Sequence, residues 1–245
     1  MNSVSGLENT IGNAGSFNAV SGWRNTLGDN ARQNHISGSF NSVGNDSSLN
    51  NAFGRNSNIG QDSDDNSIIG GFGNIGDGSN NNNIIGRSNT VGNDISFSAL
   101  VGYNNDVATG SANSVFIFGQ RNNVSGANNV VTGQHADVTG AGNLAAGGYN
   151  AAGPTILGNK NITIGGNSVA TGDDTIILGN RSVATGNNTI AIGKDTTADE
   201  EGSTAIGLGA TTTAMNQMMF GTSINTIVMP GVVSTAQLAL SLIHI

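Results

Sequence analysis

The sequence contains no cysteine, only two prolines and few aromatic residues, which make up 4% of its 245 positions. The absence of cysteine excludes disulfide bonds and thiolate metal sites, and it gives no indication of the redox state of the compartment. So few aromatic residues are a poor basis for a conventional core built around large rings. A different kind of packing must therefore hold this chain together.

Positive charge is also scarce, and the formal net charge is −8. Nucleic-acid binding draws most of its affinity from Lys and Arg, and an anionic membrane surface attracts the same side chains. The composition therefore argues against both partners. No apolar run is long enough to cross a bilayer, and nothing after Met1 has the pattern of a signal peptide. Because repeats begin at Asn2, we expect a segment of a longer protein.

What the chain has in quantity is glycine, 38 residues, arranged in a regular order. An aliphatic residue stands two positions before each glycine of a first series, as Val20 does before Gly22. A second series, from Gly12 to Gly92, runs in phase with the first. Such order excludes the disordered segment that composition alone would suggest. The first series has a spacing of 16 residues and comprises Gly6, Gly22, Gly38, Gly54, Gly70, Gly86 and Gly102.

From about residue 113 the glycine spacing shortens to 7, and after a slip around Pro154 it continues to the end of the repeats. Two half-units of 7 give a period of 14. We predict that the glycines of both regions are structural turn positions, because glycine accepts positive φ without steric cost. In the later region these are Gly158, Gly165, Gly172, Gly179, Gly186, Gly193 and Gly207.

The half-units are too short for helices and rich in β-branched residues, so each is predicted to be one short strand followed by a turn. The sequence thus predicts an all-β fold, a parallel β-solenoid of 14–16-residue coils in which like residues form ladders along the axis. Aliphatic ladders would form the core and Asn ladders would line the turns. Roughly 14 to 15 coils, about 4.8 Å apart, would give a rod about 70 Å long.

Alternation within the strands predicts which residues face inward. In residues 189–193 we place Ile190 and Ile192 on the core side and Ala191 on the opposite side. Phe116 and Phe118, in the register change, are predicted to be local core plugs. Small outward residues would let neighbouring chains pack closely, which favours a homotrimer. The residues expected to face outward in this way are Ala170, Ala184, Ala191 and Ala205.

The chain is expected to divide by repeat type and not into globular domains. Residues 2–102 form a solenoid of 16-residue repeats, 103–157 contain the register change and the 7-residue half-units, and 158–221 contain 14-residue repeats. Residues 222–239 would form an exit segment. Residues 240–245 read as the in-frame translation of a sequencing adapter, CTG TCT CTT ATA CAC ATC, and are predicted to be a library artefact.

No motif indicates catalysis. His35, His135 and His244 are far apart and lack partners at ligand spacing. The Gly-rich residues 70–77 resemble a calcium-binding nonapeptide only once, without tandem copies, and the acidic residues 195–201 are typical of a solvated turn. Phosphate loops, nucleophile elbows and dinucleotide sites are not found. We therefore predict a protein that is not an enzyme and that has no cofactor and no metal site.

The later repeats resemble the head repeats of YadA-like trimeric autotransporter adhesins, most strongly over about 155–213. The residues that carry the resemblance are the runs SVATG at 168–172 and 182–186, TIAIG at 189–193 and STAIG at 203–207. It implies a left-handed parallel β-roll, a homotrimer, display on the outer membrane of a bacterium through an anchor elsewhere, and adhesion to host cells or matrix. The 16-residue period of residues 2–102 departs from the family's 14.

Phage or virus tail fibres carry similar repeats, and residues 218–223 and 228–231 would suit the exit of a fibre from its roll, so a virion is the alternative location. Ice binding would need ranks of Thr, which is scattered here. The outward positions hold the same few polar types along the rod. We therefore predict binding through a distributed polar surface, with no single pocket.

Overall fold

The structure, a computed structural model, describes residues 1–109, 113–148 and 153–228. This part of the chain consists of short β-strands joined by turns, and it contains no helix and hence none that could span a membrane. The half-units of each repeat are too short to form helices. Each has a β-branched or aliphatic centre, which favours a strand, and ends at a residue with a left-handed backbone conformation.

In chain order, the strands of the first half are β1 (Ser3–Leu7), β2 (Thr10–Ile11), β3 (Ala19–Trp23), β4 (Thr26–Leu27), β5 (His35–Ser39), β6 (Ser42–Val43), β7 (Asn51–Arg55), β8 (Asn58–Ile59), β9 (Ser67–Gly71), β10 (Asn74–Ile75), β11 (Asn83–Arg87), β12 (Thr90–Val91), β13 (Ala99–Tyr103) and β14 (Asp106–Val107). Those of the second half are β15 (Phe116–Gln120), β16 (Asn123–Ser125), β17 (Val130–Gln134), β18 (Asp137–Thr139), β19 (Leu144–Gly147), β20 (Thr155–Ile156), β21 (Ile162–Ile164), β22 (Val169–Ala170), β23 (Ile176–Leu178), β24 (Val183–Ala184), β25 (Ile190–Ile192), β26 (Thr197–Ala198), β27 (Thr204–Ile206) and β28 (Met218–Phe220).

These strands form two parallel sheets that run along the whole rod. In the described residues the first sheet has 15 strands, in the order β1, β3, β5 and so on to β27 and then β28, and the second has 13, from β2 to β26. Each coil gives one strand to each sheet. The protein is therefore an all-β parallel solenoid, which confirms the predicted fold class.

Coil length changes along the axis without breaking either sheet. Paired residues are 16 apart up to Leu100, as in Val20 and Ile36. The step becomes 17 at Leu100 to Ile117, 14 at Ile117 to Val131, and 18 at Ala145 to Thr163, after which it returns to 14. Residues 110–112 and 149–152, in the two longest coils, lie outside the described residues, as do 229–245, which include part of the predicted exit segment and the predicted adapter artefact.

The core consists of two aliphatic columns, one from each sheet. In the 16-residue coils the first column includes Val20, Ile36 and Ile68, and the second includes Leu27 and Ile59, all at most 2% exposed. A third buried position, occupied by Ala31, Ser47, Ser63, Ser79 and Ile95 in successive coils, closes the longer coil. The 14-residue coils are two residues shorter in this segment and therefore lack the third buried position.

The predicted faces of the 14-residue coils are wrong. Ala191 is fully buried, whereas Ile190 and Ile192 are partly exposed on the outside. The columns Ala191–Ala205 and Ala170–Ala184–Ala198 form the core of these coils, together with Ile177, which pairs with Ala191 and is also fully buried. Alanine is therefore an interior residue here, and the isoleucines on either side of Ala191 lie outside.

The prediction that Phe116 and Phe118 are core plugs is also wrong. Their exposed fractions are 46% and 58%, and the residue between them, Ile117, is buried. Alternation along β15 puts Ile117 in the column that contains Leu100 and Val131.

Buried asparagines form ladders at the corners between strands. The backbone N–H of Asn34 donates to Oδ1 of Asn18 at 2.9 Å, and Nδ2 of Asn34 donates to the carbonyl oxygen of Ser47 at 2.8 Å. The same pattern continues to Asn50 and Asn66. Each amide thus satisfies backbone groups of the adjacent coils that the parallel ladder leaves free, which explains why so polar a sequence has a dry interior.

Candidate binding surfaces

The predicted structural glycines lie where consecutive coils come closest. Those at positions 6, 22, 38, 54, 70, 86, 102, 165, 193 and 207 have φ between 97° and 147°, and the first seven are the fourth residues of first-sheet strands. Gly158, Gly172, Gly179 and Gly186 have no positive φ, yet a Cβ on any of them would collide with backbone atoms of the next coil. Their requirement for the fold stays a prediction.

The left-handed corner residues are mostly not glycine. In the first corner column they stand two positions after the glycine, as Arg24, Phe40 and Phe72 do, with φ of 53° to 56°. Sequence reasoning missed these positions, and the constant offset from the glycine series is the signal that would have found them.

The outer face of the first sheet is apolar over most of its length. We call it the apolar face and define it by the third strand position from β7 onward and the first strand position from β15 onward. The third position carries Phe53, Ile69, Ile85, Val101, Phe118, Thr132, Ala146, Ile164, Leu178, Ile192, Ile206 and Phe220 in adjacent coils. Ile69, Ile164 and Leu178 are 47%, 44% and 39% exposed. An apolar strip of this length, interrupted by the polar side chain of Thr132, is typical of an interaction surface.

The outer face of the second sheet is polar over most of the rod. Its first strand position carries Thr10, Thr26, Ser42, Asn58, Asn74, Thr90, Asp106, Asn123, Asp137 and Thr155 in successive coils. Side chains bond along this column, for example Asn58 to Asn74 at 3.0 Å and Asn123 to Asp137 at 3.1 Å. Partial burial in the column raises the pKa of the Asp106 carboxyl.

The corner that follows the first sheet concentrates arginine and aromatic residues. We call it the arginine–aromatic edge, and it includes the fifth strand position and the left-handed residue after it. The guanidinium of Arg24 lies 4.8 Å from the centre of the Trp23 ring, and that ring meets Phe40 edge-on at 4.7 Å. Arg87 lies 5.3 Å from the Phe72 ring. The edge comprises Trp23, Arg24, Phe40, Arg55, Phe72, Arg87, Tyr103 and Arg121.

The residues considered for catalysis or metal binding do not come together. Among the described residues no group of three or more His, Asp or Glu could hold a metal ion. His35 is exposed and packs against the Phe53 ring at 4.7 Å, and His135 lies 3.3 Å from an Arg121 nitrogen. At 195–201, Asp195 pairs with Arg181 at 2.6 Å, a hydrogen bond that lowers the pKa of its carboxyl. His244 lies outside the described residues.

Two copies of the YadA head domain repeat match this chain, at residues 170–196 and 184–210. Both lie within the range 155–213 where the resemblance was strongest, so the prediction of YadA-like head repeats is confirmed. The matched residues include β23 to β27, whose sheets continue unbroken into the 16-residue coils.

No curated protein matches the sequence. Among solved structures, the crystal structure of the polySia-specific acetyltransferase NeuO aligns at 13% identity over 100% of this chain and 96% of that chain, with a TM-score of 0.13.

Proposed function

We propose that this chain is the head segment of a trimeric bacterial surface adhesin, anchored in the outer membrane through a region elsewhere in the protein. The observation that carries the proposal is the pair of YadA head repeats embedded in one uninterrupted solenoid. The protein acts by binding to host cells or matrix and not by catalysis.

The apolar face supports self-association of three chains. Water-exposed Ile, Leu and Phe in two adjacent columns over more than half of the rod would be an aggregation hazard in a monomer, and burial against copies of the same face removes it. If the three chains pack around one axis parallel to the rod, equivalent coils of the three chains lie at the same height along that axis. The large aliphatic residues, and not the alanines expected from the sequence, would make this contact.

The polar face of the second sheet supports the binding role, since it stays open when the apolar face is covered. It presents Asn, Ser, Thr and Asp at one residue per coil, which gives many weak and equivalent contacts. Three copies in one fibre multiply those contacts, and each bound contact raises the effective concentration for the next.

Light scattering of the purified chain tests the assembly. The wild-type chain is expected to have the mass of a trimer, and Leu178→Glu, on the apolar face, is expected to give a folded monomer. Val183→Glu is the matched control, because it introduces the same charge on the outer face of the second sheet and should leave the trimer intact. Circular dichroism reports whether each variant keeps its strands.

A folded wild-type monomer would remove the trimer from this proposal. Adhesion is tested separately, with the wild-type chain applied to surfaces coated with host cells or matrix proteins. A trimer that adheres to none of them would contradict the adhesin role and favour a fibre shaft.

A further inference from the structure

The arginine–aromatic edge has an order that the fold alone does not require. Its backbone stacks coil on coil, since Phe40 N–H donates to the Trp23 carbonyl at 3.0 Å and Phe72 N–H donates to that of Arg55 at 2.8 Å. Consecutive coils then carry, in turn, Arg24, Phe40, Arg55, Phe72, Arg87 and Tyr103, followed by Arg121 in the next coil. A cation thus recurs every second coil, with an aromatic ring between.

Two aromatic residues of the edge have a backbone conformation that is energetically unfavourable for a bulky side chain. Phe40 and Phe72 have φ of 56°, in the left-handed region that favours Gly and Asn and is an outlier for bulky residues. Asn56 and Asn104 occupy the same column without that cost. Phe72 is also 44% exposed, so its ring gains little burial in return. Exposed rings at unfavourable φ point to a role outside the fold.

The edge is basic although the chain is acidic. Four of the eight Lys and Arg residues, Arg24, Arg55, Arg87 and Arg121, lie along it. The two carboxylates in the same columns, Glu8 and Asp195, are paired with Arg24 and Arg181. Carboxylates gather instead at the corner that follows the second sheet, which carries Asp29, Asp46, Asp62, Asp77 and Asp94. The edge therefore attracts an anionic ligand that the rest of the rod repels.

We propose that the arginine–aromatic edge binds a linear acidic polysaccharide laid along the rod axis. Arginines in alternate coils are about 9.6 Å apart, a distance comparable to the length of a disaccharide, so a chain with one acidic group per disaccharide meets one guanidinium per repeat. The aromatic residues between them offer flat faces to the sugar rings. Guanidinium groups bind carboxylate and sulfate in bidentate geometry.

This inference deepens the adhesin role and rests on it, because acidic polysaccharides coat host cells and matrix. A nucleic acid is the competing polyanion. A phosphate on every nucleotide repeats over a much shorter distance than two coils, so the spacing of the arginines favours the saccharide.

Trp23, the single tryptophan of the chain, lies at this edge and serves as a fluorescent reporter. Hyaluronan and heparin oligosaccharides of increasing length would be titrated into the full chain, with neutral dextran and single-stranded DNA as comparisons. We expect a change in Trp23 emission with an acidic oligosaccharide, affinity that rises with its length and falls with salt, and no change with dextran.

Three variants separate the edge from general charge. Arg55→Gln with Arg87→Gln is expected to weaken binding by about tenfold or more, because each loses a charge-assisted contact. Phe72→Asn places a residue suited to positive φ and should weaken binding while keeping the fold. Arg32→Gln is the matched control, an exposed arginine on another side of the coil, and should bind as the wild type does.

The proposal is overturned if neither oligosaccharide changes the emission, if the double variant binds as tightly as Arg32→Gln, or if DNA binds as tightly as heparin. Its failure is distinguishable from that of the adhesin role. A chain that adheres equally before and after enzymatic removal of acidic polysaccharides from the surface keeps the adhesin role and loses this ligand. A chain that binds the oligosaccharides yet adheres to no surface keeps this ligand and loses the adhesin role.

Discussion

At the scale of single residues, the glycine column of the first sheet has no space for a side chain. A Cβ on Gly179 would collide with the carbonyl oxygen of Gly193 in the next coil, whereas Asn180 beside it is exposed and bonds to the Gly166 carbonyl at 2.9 Å. The steric limit therefore comes from stacking, and at Gly179 it does not depend on positive φ.

We predict that Gly179→Val disrupts the fold and that Asn180→Ser is nearly silent, within about 0.5 kcal/mol, as is usual for surface substitutions. Valine would have to displace the backbone of the adjacent coil, whereas serine is compatible with the turn. Thermal unfolding followed by circular dichroism compares the two. Equal midpoints would show that the glycine column does not limit stacking.

At the scale of elements, strand β25 has a small inner residue, Ala191, between two large outer residues, Ile190 and Ile192. We predict that Ala191→Leu destabilises the protein by about 1–3 kcal/mol, the usual cost of overpacking a filled interior. Ile192→Leu conserves volume on the outer side and should cost less than about 1.5 kcal/mol. Urea unfolding at one protein concentration measures both, because assembly makes stability depend on concentration. A larger loss for Ile192→Leu would mean that β25 faces the other way.

The periodicity of the sequence was sufficient to predict the elements, their parallel stacking and the aliphatic columns of the first half. In the first sheet the buried position stands two residues before the glycine in both the longer and the shorter coils, at Val20 before Gly22 and at Ala191 before Gly193. If the same two-residue offset had been applied to the shorter coils, Ala191 would have been predicted to face the core. The size of the flanking isoleucines misled the prediction, since alternation defines two faces but not which one is inner.

Other features depend on contacts between coils and could not be predicted from one repeat. The burial of Asn34 is an example, because its amide is satisfied only by Asn18 and Ser47, in the coils on either side. The arginine–aromatic edge is another, since Arg55 and Phe72 become neighbours only once the coils stack.

At the scale of the whole molecule, binding should grow with the number of coils. We predict that no single alanine substitution on the exposed positions abolishes adhesion, and that removal of whole 16-residue coils from the first half weakens it in proportion to the coils lost. Paired residues there are 16 apart, so a deletion of that length rejoins the columns in phase.

Binding of the shortened chains to coated surfaces, beside an alanine scan, measures this dependence. A deletion of half a coil is the control, because it would put core residues outside and should unfold the chain. One alanine substitution that eliminated adhesion without changing the fold would reveal a discrete site in place of a distributed one.

The direction of the backbone hydrogen bonds also determines how the rod responds to force. They join one coil to the next, as from His35 N–H to the Asn50 carbonyl at 2.8 Å, and so they run along the axis. Tension along that axis peels coils off one at a time and does not shear a whole sheet at once. Each 16-residue coil that detaches lengthens the chain by roughly 50 Å at full extension, where it occupied about 4.8 Å in the stack. A fibre attached to a surface under flow would therefore yield by stepwise lengthening, and would dissipate a pull that would otherwise break its attachment.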